Sequence, residues 1–263
     1  VIVVRRPGLL TTVQDLGRPG LAHLGVPRAG AADVDALRHA NALVGNPPGA
    51  AALEVTGLGP ELVFEVDATV AVHGRALFVP AGRALDVGPV RDGVRTYVGV
   101  RGGVDVPPVL GSRSTCTLSG LGPPPLREGD RLGIGRQAVH EPRDAAPPVR
   151  GSGPLRVLLG PRDDALTARG VEALLAQEWT VTAASDRTGL RLAGTPLERR
   201  EGGELASEGV VAGSVQVPPD GRPVLFLANH PTTGGYPVVA VVVRADLGQA
   251  AQAAPGDVVR LRV

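Results

Sequence analysis

The sequence predicts a mainly β protein built as two β-rich lobes with a few short helices. Three observations carry this. Short β-branched or apolar runs recur along the chain, each bounded by Gly or Pro. The 263 residues hold 37 Gly and 25 Pro, yet 43% are hydrophobic, so turns between buried strands account for the composition and disorder does not. A Pro-rich stretch without apolar periodicity, residues 141–154, separates two halves of similar pattern. The expected organisation is therefore an N-terminal lobe at 1–140, a linker at 141–154 and a C-terminal lobe at 155–263.

In the first lobe, strands are expected at residues 1–4, 62–66, 69–73 and 97–100. A helix is expected at 33–44, where Val34, Leu37, Ala40 and Val44 share a face, Asp33 can cap the start, and Gly45 with Pro47 and Pro48 enforces the stop. In the second lobe, strands are expected at 155–159, 179–183, 215–217, 223–228, 238–244 and 257–263. Two further helices are expected at 163–177, weakened by Gly170, and at 245–254. Both halves place a Gly-Gly turn after a strand and a Gly-Asp turn (Gly129-Asp130 and Gly256-Asp257) before a closing strand. With six aromatic residues in all, the cores must be made of Val, Leu and Ala.

Composition also removes functions. All 27 basic residues are Arg, so a phosphate-binding loop lysine and a Schiff-base lysine are both excluded. A net charge of +1 with no basic tract argues against nucleic acid. The longest apolar run falls far short of the ~20 residues that span a bilayer, so no membrane association is expected. A single cysteine, Cys116, rules out an internal disulfide and suits the cytoplasm. The five histidines show no ligand spacing, so no metal site is expected.

Four polar segments are candidates for chemistry. Residues 8–18 pack Gln14, Asp15 and Arg18 between glycines, a set able to grip a carboxylate or an amide edge. The simpler reading is a turn whose Asp15 caps a helix or pairs structurally with Arg18. Residues 229–236 follow an apolar strand. There Asn229, Thr232, Thr233, Gly234 and Gly235 can turn main-chain N–H groups onto an anion, with His230 as a proton carrier and Tyr236 as a hydrogen-bond donor. The alternative is a tight loop with a surface histidine. Arg113, Ser114 and Thr115 form an Arg flanked by hydroxyls that suits an anion or a solvated turn. Asp186 to Leu192 holds Arg187 and Arg191, most simply as structural ion pairs.

Taken in order, GLLTTVQDLGRPG, GVPRAGAAD, ANALVGNP, LEVTGLGP, GSRST, DRTGLRLAG, VQVPPDGRP and TTGGYP resemble the 5-oxoprolinase C-subunit family, also called the biotin-dependent carboxyltransferase or allophanate hydrolase subunit 2 family. The resemblance covers nearly the whole chain. It implies a cyclophilin-like β-barrel architecture and a component of an ATP-dependent amide hydrolase that opens 5-oxo-L-proline to L-glutamate. The partners it implies are the A-subunit of 5-oxoprolinase and its B-subunit, a kinase-inhibitor-like homologue; without them the chain is expected to be inactive. ATP is then the cofactor, shared with or bound by the partner. Two alternatives follow from the same resemblance. One is the carboxyltransferase half of a urea- or guanidine-type carboxylase, using carboxybiotin on a separate carrier. The other is a non-catalytic antagonist of a kinase inhibitor. The site residues it implies are His230, Asp15 and Tyr236 for catalysis. For the substrate they are Gln14, Arg18, Arg113, Ser114, Thr115, Gln216, Asn229, Thr232, Thr233, Gly234 and Gly235. The family often has Asp where Asn229 stands and Lys where Val238 stands.

Overall fold

The computed structural model describes residues 1–200 and 205–263. The chain divides into two compact units, one made of residues 1–20 and 28–149 and the other of residues 21–27 and 150–263. Among the described residues no helix is long and apolar enough to cross a membrane.

The first unit has ten strands: β1 (Ile2–Arg6), β2 (Leu10–Gln14), β3 (Ala52–Thr56), β4 (Glu61–Phe64), β5 (Ala68–Val72), β6 (Arg75–Val79), β7 (Ala84–Asp86), β8 (Arg95–Val100), β9 (Val104–Asp105) and β10 (Arg131–Ile134). They form two antiparallel sheets, ordered β7-β4-β1-β10-β9 and β2-β3-β8-β5-β6. Period-2 alternation explains how the sheets meet. Ile2, Val4, Leu62 and Phe64 of the first share one core with Val13, Leu53, Val55, Val70 and Val98 of the second. The intervening residues Ala52, Ala71 and Tyr97 point the other way, to helix α1 (Val34–Leu43). Small side chains there let the helix sit close. A Cβ on Gly99 would lie 2.8 Å from the Ala40 carbonyl. As expected, Asp33 caps α1, its carboxylate accepting from the Ala36 N–H at 3.0 Å.

The second unit contains β11 (Leu155–Leu159), β12 (Trp179–Val181), β13 (Gly189–Ala193), β14 (Glu208–Gly209), β15 (Ser214–Gln216), β16 (Val224–Phe226), β17 (Thr233–Gly234), β18 (Val238–Val242), β19 (Val258–Val259) and β20 (Leu261–Arg262). Eight of these form one sheet, β19-β12-β13-β16-β15-β18-β11-β20, and β14 and β17 form a separate ribbon. The two edge strands of the large sheet are halves of one terminal segment, so the sheet curls into a nearly closed barrel. Leu155, Val157, Val181, Leu190, Leu192, Val215, Leu225, Val242 and Leu261 are buried. Trp179 is fully buried and donates its indole N–H to the Leu174 carbonyl at 3.1 Å, tying β12 to helix α2 (Ala168–Ala176). The helix expected at 163–177 is thus a short 3₁₀ turn followed by α2, and the one at 245–254 is a 3₁₀ turn followed by α3 (Leu247–Ala251).

The largest departure from the sequence reading is β2. Residues 8–18, read as a polar loop, contain a five-residue strand paired along its whole length with β3. Strands β3, β6, β7, β9, β13, β14 and β17 likewise lie outside the sequence expectation. Residues 141–152 carry no helix or strand. Their first part is tied down within the first unit: Arg101 pairs with Glu141 at 3.3 Å, and His39 Nε2 lies 2.9 Å from the Ala145 carbonyl.

Candidate functional site

In the first unit, two of the four candidate segments, residues 8–18 and 113–115, meet around β2. Asp15 is the hub. Its Oδ1 accepts from the Gly17 N–H at 2.8 Å, the Ser112 hydroxyl at 2.6 Å and the Ser114 hydroxyl at 2.5 Å, and its Oδ2 accepts from the Arg113 N–H at 2.7 Å. The Ser114 oxygen also accepts from the Asp15 N–H at 2.9 Å. Asp15 therefore shapes the turn that carries Arg113, Ser114 and Thr115. That turn runs beside β2, with the Thr115 N–H donating to the Val13 carbonyl at 2.9 Å. Residues 28–31 lie on the other side, joined by Arg18 N–H to Arg28 O at 2.7 Å and Ala31 N–H to Asp15 O at 2.9 Å. Gly17 permits this approach, since it has φ +80° and a Cβ there would lie 2.4 Å from the Arg28 carbonyl.

Arg18 is 2% exposed. Its Nε donates to Val109 O at 2.9 Å and its Nη2 to Ser114 O at 2.6 Å. Burial pulls its guanidinium below the usual arginine value, and the nearby Asp15 carboxylate partly offsets this. Gln14 is fully buried, and its Nε2 donates to Thr12 Oγ1 at 3.0 Å and to Thr115 O at 3.1 Å. Arg113 extends outward to Asp105 at 2.9 Å. Four buried atoms on these segments have no hydrogen-bond partner: Gln14 Oε1, Arg18 Nη1, Thr115 Oγ1 and Arg113 Nε.

The sequence reading missed a second group beside this one. Glu54 on β3 is 1% exposed. Its Oε2 accepts from the Tyr97 hydroxyl at 2.6 Å and from the Ala32 N–H at 2.9 Å, and Arg95 Nε lies 3.7 Å from its Oε1. The Tyr97 oxygen accepts in turn from the Asp33 N–H at 2.9 Å. Burial holds the Tyr97 phenol far above its ordinary value, so it stays a neutral donor. Thr12, Glu54 and Tyr97 are direct cross-strand partners, which places a polar row on a face that the sandwich core does not use.

In the second unit, the remaining segments meet on the outer wall of the barrel. A β-bulge interrupts the β15–β18 register between Val215 and Gln216. It re-aims Gln216, whose Nε2 donates to the Tyr236 carbonyl at 2.8 Å. Val210, Phe226 and Val238 make a small apolar cluster there. The His230 ring lies 6.3 Å from the Phe226 ring and is 8% exposed. Its Nδ1 is 2.6 Å from the Pro231 carbonyl, an acceptor only, which fixes a proton on Nδ1. Asn229 is fully buried and accepts from Arg187 Nη2 at 3.5 Å. Arg187, read from sequence as a structural ion-pair partner, is itself 2% exposed, and burial pushes its guanidinium down to about 9.

The anion-holding turn expected at Gly234-Gly235 is not formed. Neither glycine has a left-handed φ, and Thr233 and Gly234 instead make β17, paired with Glu208 and Gly209 of β14. Pairing in β17 draws Thr233 and Gly234 into a strand, with Gly235 just outside it. Thr233, Gly235 and Tyr236 are exposed, Thr232 is half-buried, and the Tyr236 contact to Gln216 is made by its main chain. Among the described residues no cluster of three or more His, Cys, Asp or Glu is arranged to hold a metal ion.

The family model for the carboxyltransferase domain, subdomains A and B, matches residues 24–263. Among curated proteins the chain is similar to the 5-oxoprolinase C-subunit of Escherichia coli K12, at 37% identity over 96% of this chain and 87% of that protein. It is also similar to urea amidolyase of Saccharomyces cerevisiae, at 31% identity over 97% of this chain but 16% of that protein. Among solved structures, urea amidolyase of K. lactis superposes with a TM-score of 0.92 at 31% identity, covering 99% of this chain and 18% of that one. Kluyveromyces lactis urea carboxylase gives the same TM-score and identity, with 27% of its chain covered.

Proposed function

The chain belongs to the carboxyltransferase domain family of subdomains A and B, and from that premise we propose that it serves as the C-subunit of an ATP-dependent 5-oxoprolinase, which with its A- and B-subunits opens 5-oxo-L-proline to L-glutamate. One observation carries the choice. The 37% identity to the Escherichia coli protein extends over 87% of its length, whereas the urea amidolyases are matched over about a sixth of theirs.

The reaction breaks the ring C–N bond, adds a water oxygen to the carbonyl carbon and returns a proton to nitrogen. A lactam carbonyl is a poor electrophile, so negative charge developing on its oxygen must be met by fixed donors. In the second unit, Arg187 and the Gln216 amide are such donors on a preorganised wall. His230, its Nδ1 proton held by the Pro231 carbonyl, leaves Nε2 suited to take the proton released by the attacking water and pass it to the leaving nitrogen. In the first unit, Gln14 and Arg18 hold the carbonyls of Thr115 and Ser114. Asp15 acts by positioning the 112–115 turn, since its carboxylate is already satisfied by four donors. ATP supplies the driving force. With no lysine in the chain, its phosphates would have to be met here by Arg side chains and main-chain N–H groups, or on the partner.

The second reading, the carboxyltransferase half of a urea-type carboxylase, is favoured by the 0.92 TM-score to the K. lactis enzymes. Carboxybiotin would then arrive on a separate carrier, because this chain has no lysine to bear it. The test is reconstitution with the A- and B-subunits, followed by assay of ATP-dependent glutamate release from 5-oxoproline. The chain alone is expected to be inactive. His230→Ala is expected to lower turnover about 10²-fold with an unchanged melting curve. Failure of the complex to release glutamate, with transfer from carboxybiotin to urea instead, would establish the second reading.

A further inference from the structure

We propose that strand β6 is an interface between two copies of this chain: its outer edge pairs antiparallel with the same strand of a second copy, about a two-fold axis at Leu77. The surface lies wholly in the first unit and does not depend on the reaction proposed above.

β6 is a bare edge where the others are guarded. The two sheets of the first unit end on β2, β6, β7 and β9. Strand β2 is covered, since the Thr115 N–H donates to Val13 O at 2.9 Å and the Leu126 N–H to Thr11 O at 2.9 Å. Strand β9 is two residues long and ends on Asp105, and β7 is three long and ends on Asp86, which pairs with Arg6. Short length, charge and a covering loop are the usual protections of a sheet edge. Strand β6, Arg75-Ala76-Leu77-Phe78-Val79, carries no charge after Arg75 and no bulge, and its first four residues are exposed. Among the described residues no strand pairs with its outer side. Leu77 is 40% and Phe78 65% exposed. The chain has few aromatic residues, and Phe64, Tyr97, Trp179 and Phe226 are all buried. An exposed aromatic on an unguarded edge is the composition of an interface.

The register selects the occupant. A two-residue loop, His73-Gly74, joins β5 to β6 with φ +49° and +74°, as in a type I′ hairpin turn. Such a loop closes on a pair that exchanges both hydrogen bonds, here Val72 with Arg75, and bonded and non-bonded pairs then alternate. Leu77 and Val79 therefore turn their main-chain groups inward to β5, and Ala76 and Phe78 turn theirs outward. A second β6 meets all the outward groups in one register. With Leu77 on the axis, Ala76 of each copy faces Phe78 of the other, and each pair exchanges two N–H···O=C bonds. An axis at Phe78 would set Ala76 opposite Pro80, which has no N–H. An axis at Ala76 would set Phe78 opposite Gly74, in the turn. The side chains agree with the Leu77 axis. Ala76 lies opposite Ala71, on the face that receives α1, and Leu77 lies opposite Val70, on the core face. Across the axis the large Phe78 then lies beside the small Ala76 on one face, and the two Leu77 side chains meet on the other. Arg75 falls opposite Val79, so no like charges are opposed. A segment this short covers less than the ~1,200 Å² of a stable complex, so the dimer is weak and reversible. The pairing is isologous, so association stops at two.

The experiment uses the full chain. Sedimentation across the micromolar to millimolar range is expected to show monomer passing to dimer and no further. Leu77→Lys brings two like charges together on the axis. Ala76→Pro removes an outward N–H and leaves the bonds to β5 in place. Both variants should remain monomeric over the same range, with melting curves close to that of the native chain. Cross-linking checks the register. Cys116, the chain's one cysteine, is 1% exposed, so the native chain gives no disulfide dimer under mild oxidation. Leu77→Cys should give one readily, because its two copies meet on the axis. Ala76→Cys should not, because its copies lie diagonally, beyond the reach of a disulfide. The proposal is overturned if the native chain stays monomeric throughout, if both edge variants still dimerise, or if Ala76→Cys cross-links as fast as Leu77→Cys. It is also overturned if β6 gains protection from hydrogen exchange only when a different chain is added, since the edge then belongs to that chain.

Discussion

Gly234 is confined to glycine by contact, not by conformation. A Cβ there would lie 2.5 Å from Gln216 Nε2, whereas at Gly235 the nearest atom, Leu205 O, is 3.9 Å away. Adjacent glycines in one motif therefore do different work. Gly234→Ala must push the Gln216 amide off the Tyr236 carbonyl, leaving a buried amide short of a partner, at a cost of ~1 kcal/mol. Gly235→Ala should stay within about 0.5 kcal/mol of the native chain. Chemical denaturation of the two variants checks this, and equal stabilities would show that Gln216 is not held by the Tyr236 carbonyl. The sequence made the motif visible but not the division of labour. Composition reads two glycines as a flexible anion-binding turn. Only the pairing of β17 with β14 shows that Gly234 is part of a strand, with Gly235 just outside it.

At the scale of elements, the row Thr12, Glu54 and Tyr97 shows why part of the site was hidden. Each residue is polar and sits in an alternating strand, so each reads as solvent-facing. They become a buried network only because register sets Thr12 opposite Glu54 and Glu54 opposite Tyr97. Their neighbours Ala52 and Ala71 on the same face then receive α1. Helix α1 itself was legible, because its cap, apolar face and stop are all local. Strand β2 was not: its Thr-Thr-Val core has high β propensity, but the flanking glycines and polar residues suggested a loop. Tyr97 is the joint between these elements, donating to Glu54 on β3 and accepting from the N–H of the α1 cap residue. Tyr97→Phe keeps the ring and removes the hydroxyl, which costs Glu54 Oε2 one of its two donors and the Asp33 N–H this acceptor. We expect a loss of ~2 kcal/mol and faster amide exchange in the first turn of α1. Exchange there as slow as in the native chain would place the stabilisation elsewhere.

Across the whole molecule, each unit is sealed by its last strand against its first. In the first unit β10 pairs with β1, Leu132 opposite Ile2. In the second, β20 pairs in parallel with β11, Leu261 opposite Leu155. The repeated Gly-Asp turn in the sequence marks the start of both closing strands, although its pairing partners lie far along the chain, Val259 opposite Trp179 and Leu132 opposite Ile2, and could not be read locally. In the second unit the closure is double. The terminal segment breaks at Arg260, so that β19 pairs with β12 on one edge of the sheet and β20 with β11 on the other. Arg260 works the seam from both sides: its carbonyl accepts from the Leu155 N–H at 2.8 Å, and its guanidinium pairs with Glu178, next to β12. The barrel should therefore depend on this segment more than its few residues suggest. Leu261 is 2% exposed, and Leu261→Ala should cost ~2–5 kcal/mol. Removing residues 258–263 should do more, because it frees two strand edges at once and bare edges invite pairing with other chains. Hydrogen exchange followed by mass spectrometry distinguishes sealing from general destabilisation. Sealing predicts that the truncated chain loses protection in β11 and β12 while β1 to β10 keep theirs, and that it self-associates with rising concentration. If β11 and β12 remain protected, the other six strands hold the barrel sheet without it and the terminal segment is an accessory.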